Sequence, residues 1–520
     1  MLVALLVAVL SVLLGAALSF VPTTSRALLG YMRTFATLAA VAVVVTHLLP
    51  EALRELGPLS ILLFLAGWFA PALAHFVGQR STSGRAQHAV LEAGYWGLVV
   101  HHVADGIGLG AYTRLPVEQG SHLDVIIALA AHTVPLIAVV SLAYRTTFGA
   151  RSAVLRSLGL ALASVAGIGL SSLVAAHTIE RFAPVIAAVA AGLLLHVVTH
   201  DLTEDPARTA LARSLDLLVA ALGVAVSLLG VWQSTDPGTR EFAHALVQLS
   251  ERTSLVILVA LGAAAFSLRS APRGSKLARA ALPAGVLGAE SILLSIALFG
   301  FVAAGLRLLV TALAILLWVH TPSEHVHEDV QPRHWRARAS EALEHAGPWL
   351  ALGLLIGALL LSVPVPALGQ RLSGTLLELV IVAAVANLTP IAAPAAVLIA
   401  TGLSGLGLSS GAIVLFATLA PLSDALGSAW KARSFVTVVC FVVAWLCGPL
   451  GLSATPLDGA LSQGDLGPRA AIALAVLLLF GVWQRSARIW LSTIVRPPPH
   501  EHEHAHDVHG PHDEHAPRAH

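Results

Sequence analysis

Residues 97–110 read GLVVHHVADGIGLG, within an apolar segment long enough to cross a bilayer. Near the middle of that segment lie His101, His102 and Asp105. Ionisable side chains at that depth cost about 2.5 kcal/mol or more each on insertion, so they normally face a protein interior and mark the path of a substrate or ion. Residues three and four apart share one face of a helix, which places both imidazoles one turn from the carboxylate. The pattern predicts half of a metal site.

The glycines that follow are the second feature of this stretch. Gly106, Gly108 and Gly110 carry no side chain, so a neighbouring helix can approach this face closely. We therefore expect a second span to complete the coordination shell.

The composition indicates a polytopic membrane protein. Of the 520 residues, 57% are hydrophobic and 11% are charged. The net charge of +1 argues against a nucleic-acid partner. Cys440 and Cys447 lie within one apolar span, where they read as small hydrophobic residues. No nucleophile, base and oxyanion group cluster together, so we do not expect an enzyme.

Apolar runs centred near residues 11, 42, 67, 101, 133, 165, 192 and 222 predict eight spans within residues 1–232. The first run lacks a basic leader and a cleavage site, so it is interpreted as a span rather than a signal peptide. Arginines follow the odd-numbered spans, which predicts an amino terminus outside the cell.

A polar segment, residues 233–252, is predicted to be a linker to a second membrane half, residues 253–495. Its spans are expected near residues 253–268, 281–299, 305–319, 348–363, 434–452 and 470–491, with a histidine-rich polar loop at 321–347. Prolines and glycines interrupt residues 376–427, which predicts broken or re-entrant helices there.

Other polar residues in the first half accompany the central group. They are His47 and Glu51 in the second span, His132 in the fifth, and His196, His200 and Asp201 in the seventh. A lone membrane histidine is equally well explained by a hydrogen bond between helices. Taken together, the set favours metal or proton handling, and histidine with carboxylate suits zinc, iron, cobalt, nickel or manganese.

Residues 1–232 resemble the ZIP family of divalent metal transporters. The resemblance rests on His-Leu-Leu-Pro-Glu at 47–51, His-His-Val-Ala-Asp-Gly at 101–106 and His-Thr-Val-Pro at 132–135. It implies an eight-span bundle that imports a metal ion along a path between the fourth and fifth helices.

The chain departs from the family pattern at three positions. Thr133 and Leu136 stand where carboxylates are common, and His102 replaces the usual asparagine. We therefore expect one metal ion, held by His101, Asp105 and His132 with His102 close by. Its occupancy should fall on acidification, because histidine must be deprotonated to bind metal. The polar groups of the second and seventh spans would lie at the two ends of the path, with capping of helix ends as an equal alternative.

The second half has a weaker similarity to the predicted-permease family that includes organoarsenical exporters. It rests on Asn-Leu-Thr-Pro at 387–390 and the glycine-rich stretch at 401–412, while the family's Cys-x-Cys element is missing. The polar residues of interest here are Glu290, Arg307, Glu378, Asn387 and Asp424. We favour the interpretation that each pairs with a neighbour.

The chain ends in a histidine-rich segment, residues 496–520, that cannot bury a core. Its histidines alternate with carboxylates and are predicted to hold metal loosely in the cytoplasm: His500, His502, His504, His506, His509, His512 and His515.

The sequence thus predicts an all-α, multi-pass protein of the inner (cytoplasmic) membrane that transports a divalent transition metal, zinc first, as its substrate. Two alternatives stay open: a metal-responsive membrane receptor or regulator, and a permease for another solute. Expected partners are the lipid bilayer and metal ions, and a homodimer is left open.

Overall fold

The computed structural model describes residues 2–20, 26–57, 59–79, 86–112, 133–134, 137–138, 140–142, 144–145, 147–173, 176–200, 209–233, 237–267, 289–318, 335–363, 372–389, 391–426, 430–447 and 466–495. Within these ranges the chain is helical and contains no strand. Six of the described helices are long and apolar enough to cross a membrane: 30–56, 150–173, 240–263, 291–313, 342–361 and 466–485. The prediction of an all-α membrane protein is therefore confirmed, whereas the count of eight spans in the first half is not.

The described helices of residues 1–233 are α1 (Leu2–Ser19), α2 (Arg26–Val43), α3 (Leu49–Leu56), α4 (Leu59–Gln79), α5 (Ala86–Tyr112), α6 (Ala150–Leu173), α7 (Ala176–His200) and α8 (Ala210–Gln233). A π-helical turn, Val44–Leu48, joins α2 to α3. Pro50 has no N–H to give to the carbonyl of Thr46, and one residue earlier the Leu49 N–H donates to Val44 O, five residues back as in a π-helix. The helix therefore widens beside His47.

The described helices of residues 237–495 are α9 (Pro237–Ser267), α10 (Ala289–Trp318), α11 (Trp335–Leu361), α12 (Leu376–Leu388), α13 (Ala393–Gly405), α14 (Ser410–Leu426), α15 (Trp430–Cys447), α16 (Leu466–Arg485) and α17 (Ala487–Val495). Helices α12, α13 and α14 have 13, 13 and 17 residues, fewer than the roughly 20 that a simple span needs. The described residues between 376 and 426 are thus divided among short helices, as the prolines and glycines of this segment predict.

Three segments differ from the sequence-based expectation. Residues 335–347 of the predicted histidine-rich loop are helical and form the start of α11. Most of the predicted linker, residues 237–252, is the first half of α9, and its Phe242 and Leu249 are buried in the core of the second half. Within the described residues 289–318, the two spans expected at 281–299 and 305–319 meet directly at a kink at Gly300, whose φ is +78°, with no loop between them. Glycine adopts this left-handed conformation without the steric cost of a side chain, so the chain changes direction there without a loop.

A buried polar cluster joins the last helix to the first half. Thr34 of α2 donates to Asp216 of α8 at 2.7 Å, and the other carboxylate oxygen of Asp216 accepts the Ala487 N–H of α17 at 3.2 Å. Arg488 donates to the Thr34 hydroxyl at 3.3 Å. Because burial strengthens such bonds and makes their loss costly, the cluster fixes α17 against α2 and α8.

Candidate metal site

The side chains of interest lie on α5, where both histidines are buried and Asp105 is partly exposed. His101 and His102 are 4% and 2% exposed. His101 Nε2 lies 3.3 Å from Asp105 Oδ2, as the i, i+4 spacing predicts. These polar side chains also lower the hydropathy of α5, which spans 27 residues but is not among the six helices above. The helix buries ionisable groups along a length sufficient to cross a bilayer.

The two histidines diverge because adjacent residues of a helix point about 100° apart. Their ring centroids are 5.8 Å apart, and His102 Nδ1 lies 3.1 Å from the Ser164 hydroxyl of α6. Ser164 Oγ also donates to the carbonyl of Leu160 at 3.3 Å. If the Ser164 proton stays on Leu160 O, Ser164 accepts from His102 Nδ1–H, and that tautomer would leave the imidazole lone pair on Nε2. Metal-binding histidines are commonly oriented in this way by a second residue.

Helix α6 lies against α5 at backbone distance. A Cβ atom on Gly106 would overlap the carbonyl oxygen of Ser164, and one on Gly167 would overlap that of Val103. A Cβ on Gly110 would likewise overlap the Ser171 side chain. The prediction that a neighbouring helix approaches these glycines is confirmed for Gly106 and Gly110. The helix that approaches belongs to the sixth predicted span.

A small cavity adjoins the group. It has a volume of about 10 Å³, close to the minimum that holds one water molecule. Helices α1, α5 and α6 and residue 133 supply its lining: Val7, Ala8, Ser11, His102, Asp105, Gly106, Leu109, Thr133 and Ser164. A particle of this size is a water molecule or a metal ion without its hydration shell.

The predicted ligand set is only partly described. His132, Pro135 and Leu136 lie outside the described residues, as do Asp201 and the whole tail, 496–520. The described residues contain no group of three or more His, Cys, Asp or Glu side chains arranged to hold a metal ion. The structure therefore brings His101 to Asp105, and places His102 and Asp105 on one cavity, without assembling a complete coordination shell from the described part.

The residues proposed for the ends of the path are spread over other helices. Glu51 lies in the first turn of α3, and His196 of α7 meets the Trp68 ring edge-on at a centroid distance of 5.9 Å. Neither is among the described residues that line the cavity. The side chains of His47 and His200 lie outside the described part.

Ser164 and Ser11 are the site residues that the sequence interpretation missed. A sequence signal for Ser164 does exist, since Ser157, Ser164, Gly167 and Ser171 give one face of α6 the small residues typical of tightly packed membrane helices. That pattern predicts close packing, but it does not name the partner helix.

In the second half, the described polar residues are held by neighbours. Arg307 of α10 is 4% exposed, and its Nε donates to Ala417 O at 3.0 Å, the carbonyl that Pro421 leaves without a helical donor. Its Nη1 donates to Ser291 O at 2.9 Å and to Ser295 Oγ at 2.5 Å.

Glu378 and Asn387 are likewise engaged. The Glu378 carboxylate accepts from the Ser409 N–H and hydroxyl, both at 2.7 Å, and from the Gly374 N–H at 2.8 Å. Asn387 Oδ1 accepts from Ser423 at 3.0 Å and from Arg433 at 3.1 Å. The predicted pairing is confirmed for these residues and Arg307, while the side chains of Glu290 and Asp424 lie outside the described part.

No protein-family model, curated protein or solved structure matches the chain. The functional argument therefore depends on the residues and their geometry.

Proposed function

We propose that this protein moves a divalent transition-metal ion, zinc first, across the cytoplasmic membrane by way of His101, His102 and Asp105. The observation that carries the proposal is that His102 and Asp105 line one small cavity inside the helical bundle, with His101 Nε2 at 3.3 Å from the same carboxylate. Burying these groups costs free energy, and a transported cation is a physical reason to retain them. The size of the cavity, about 10 Å³, fits a dehydrated ion in an occluded state of alternating access.

His132 is proposed as a further ligand from the fifth span. Imidazole and carboxylate ligands suit zinc, with cobalt, nickel, iron and manganese as other candidate substrates. The topology proposed with this function has the amino terminus outside and the histidine-rich end in the cytoplasm, where it would hold metal loosely. Arg307, Glu378 and Asn387 of the second half are paired by neighbours, so the proposal assigns the ion path to the first half.

The test is metal flux into proteoliposomes that contain the full chain. We expect saturable zinc uptake, and its loss in a variant with His101→Ala and Asp105→Ala together. The matched control is His244→Ala with Glu241→Ala, which removes the same two kinds of group from the exposed surface of α9. Equal uptake by both double variants and the unchanged protein would contradict the proposal.

A metal-responsive receptor is the second candidate, because a receptor requires an occluded site and a cavity of about 10 Å³ has room for one ion only. It predicts zinc binding that depends on His101 and Asp105, with no uptake in any variant. Calorimetric titration of the same preparations separates the two functions.

A further inference from the structure

A second cavity lies between α5 and α6, at the amino-terminal end of α6. This cleft has a volume of about 520 Å³ and is open to the surroundings. Its lining combines two arginines with aromatic and aliphatic side chains: Tyr95, Phe148, Arg151, Ser152, Leu155 and Arg156. None of the described residues that line it is acidic.

The two arginines differ in how they are held. Arg156 Nη2 donates to Glu92 Oε1 at 2.6 Å, and its guanidinium carbon lies 4.5 Å from the centroid of the Tyr95 ring. Arg156 is therefore held in place on one side of the cleft, and Glu92 neutralises its charge. The Arg151 side chain is exposed, so the cleft keeps a positive charge that a mobile anion can reach.

The position of the cleft on α6 indicates what surrounds it. Leu155, Leu158 and Leu162 are 61%, 45% and 69% exposed, and with Arg151 they lie on one face of the helix. In a chain that crosses a membrane, an exposed leucine face of this kind contacts acyl chains. Arg151 stands at the amino-terminal end of that face, in the first turn of α6, and arginines at the ends of membrane helices commonly lie at the level of the lipid headgroups.

We infer that this cleft binds the phosphate group of an anionic phospholipid. Guanidinium groups recognise phosphate by charge-assisted hydrogen bonds, and basic pockets between membrane helices on the cytoplasmic side hold acidic headgroups. Arg151 makes the main contact, and the acyl chains continue along the leucine face below it. Free phosphate shares the headgroup chemistry but leaves Phe148 and Leu155 uncovered, so the apolar half of the lining selects the lipid.

The test is native mass spectrometry of the full chain in detergent, titrated with phosphatidylglycerol or with phosphatidylcholine of the same acyl chains. We expect tighter binding of phosphatidylglycerol, and about fivefold weaker binding of it in Arg151→Gln, as expected for the loss of one arginine near a membrane surface. Arg151→Lys should retain most of the affinity because it retains the charge. Arg469→Gln removes another exposed arginine, from the first turn of α16, and should leave the affinity for phosphatidylglycerol unchanged.

Equal phosphatidylglycerol affinity in Arg151→Gln and the unchanged protein would overturn the inference, as would equal affinity for the two lipids. A third measurement adds inorganic phosphate in large excess to the protein with bound phosphatidylglycerol. If the lipid stays bound, the result supports a phospholipid site. If inorganic phosphate displaces the lipid, the cleft binds a free anion and the inference is contradicted. These measurements need no metal, so their outcome does not depend on whether the protein transports metal.

Discussion

Replacing Ser164 with alanine should weaken zinc binding, because this hydroxyl orients a proposed ligand. The variant removes the contact of 3.1 Å to His102 Nδ1 while both residues stay buried, at 3% and 2% exposure. A buried hydrogen bond of this kind contributes about 1 kcal/mol, and its loss frees the imidazole to rotate or change tautomer. Residues that orient metal ligands typically change metal affinity by about tenfold or more. We therefore expect the dissociation constant for zinc to rise about tenfold in Ser164→Ala.

Ser157→Ala is the matched control for this experiment. Ser157 lies on the same helix, is 4% exposed, and likewise bonds one side chain and one carbonyl, those of Ser141 at 2.7 Å and Ala153 at 2.9 Å. Its loss should lower stability to a similar degree without touching His102. Isothermal titration calorimetry with zinc compares the two variants in the same detergent. If they weaken zinc binding equally, or if Ser164→Ala leaves it unchanged, the orienting role of Ser164 is refuted.

Two further predictions concern stability, measured by thermal unfolding in detergent. Gly167→Ala should destabilise the protein by about 1–3 kcal/mol, because the new Cβ would overlap the backbone of α5. Gly169 faces open space, so Gly169→Ala should stabilise the protein by about 0.5–1 kcal/mol. Stability changes of the same sign in both variants would contradict the packing of α6 against α5. Arg307→Met should lower the stability by about 3 kcal/mol. In a Pro421→Ala background the loss should be about 1 kcal/mol smaller, because a helical N–H is restored to Ala417 O. Additive effects of the two substitutions would show that the hydrogen bond from Arg307 to that carbonyl does not contribute to stability.

The pairing of Arg307 shows why buried charge in the second half need not mark a path. A proline inside a helix leaves a carbonyl without a donor, and at membrane depth such a group must find a partner within the protein. Arg307 reaches from α10 to α14 to supply one, and it also bonds two serines of its own helix. The charge thus stabilises a broken helix.

The predicted linker is helical because the apolar residues along one face of α9 outweigh the polar composition of the segment. Residues 237–252 are rich in polar side chains, yet Phe242 and Leu249 share a helix face with Ile257 farther along α9, and the three are 2%, 2% and 0% exposed. An apolar face of this kind forms a helix whenever a neighbour covers it. Composition averaged over the segment hides the periodicity that the folded protein uses.

The sequence by itself determined the helical class, the positions of many helices and the group on α5. These depend on apolar length and on the 3.6-residue period, so that His101 and Asp105 meet within one helix wherever that helix packs. Only the tertiary structure decided that α6 is the helix against the glycines, that Ser164 meets His102 across 62 positions of sequence, and that Arg307 serves a carbonyl on α14. The physical reason is that periodicity is local to a segment, whereas the choice of packing partner depends on how all the helices fit together.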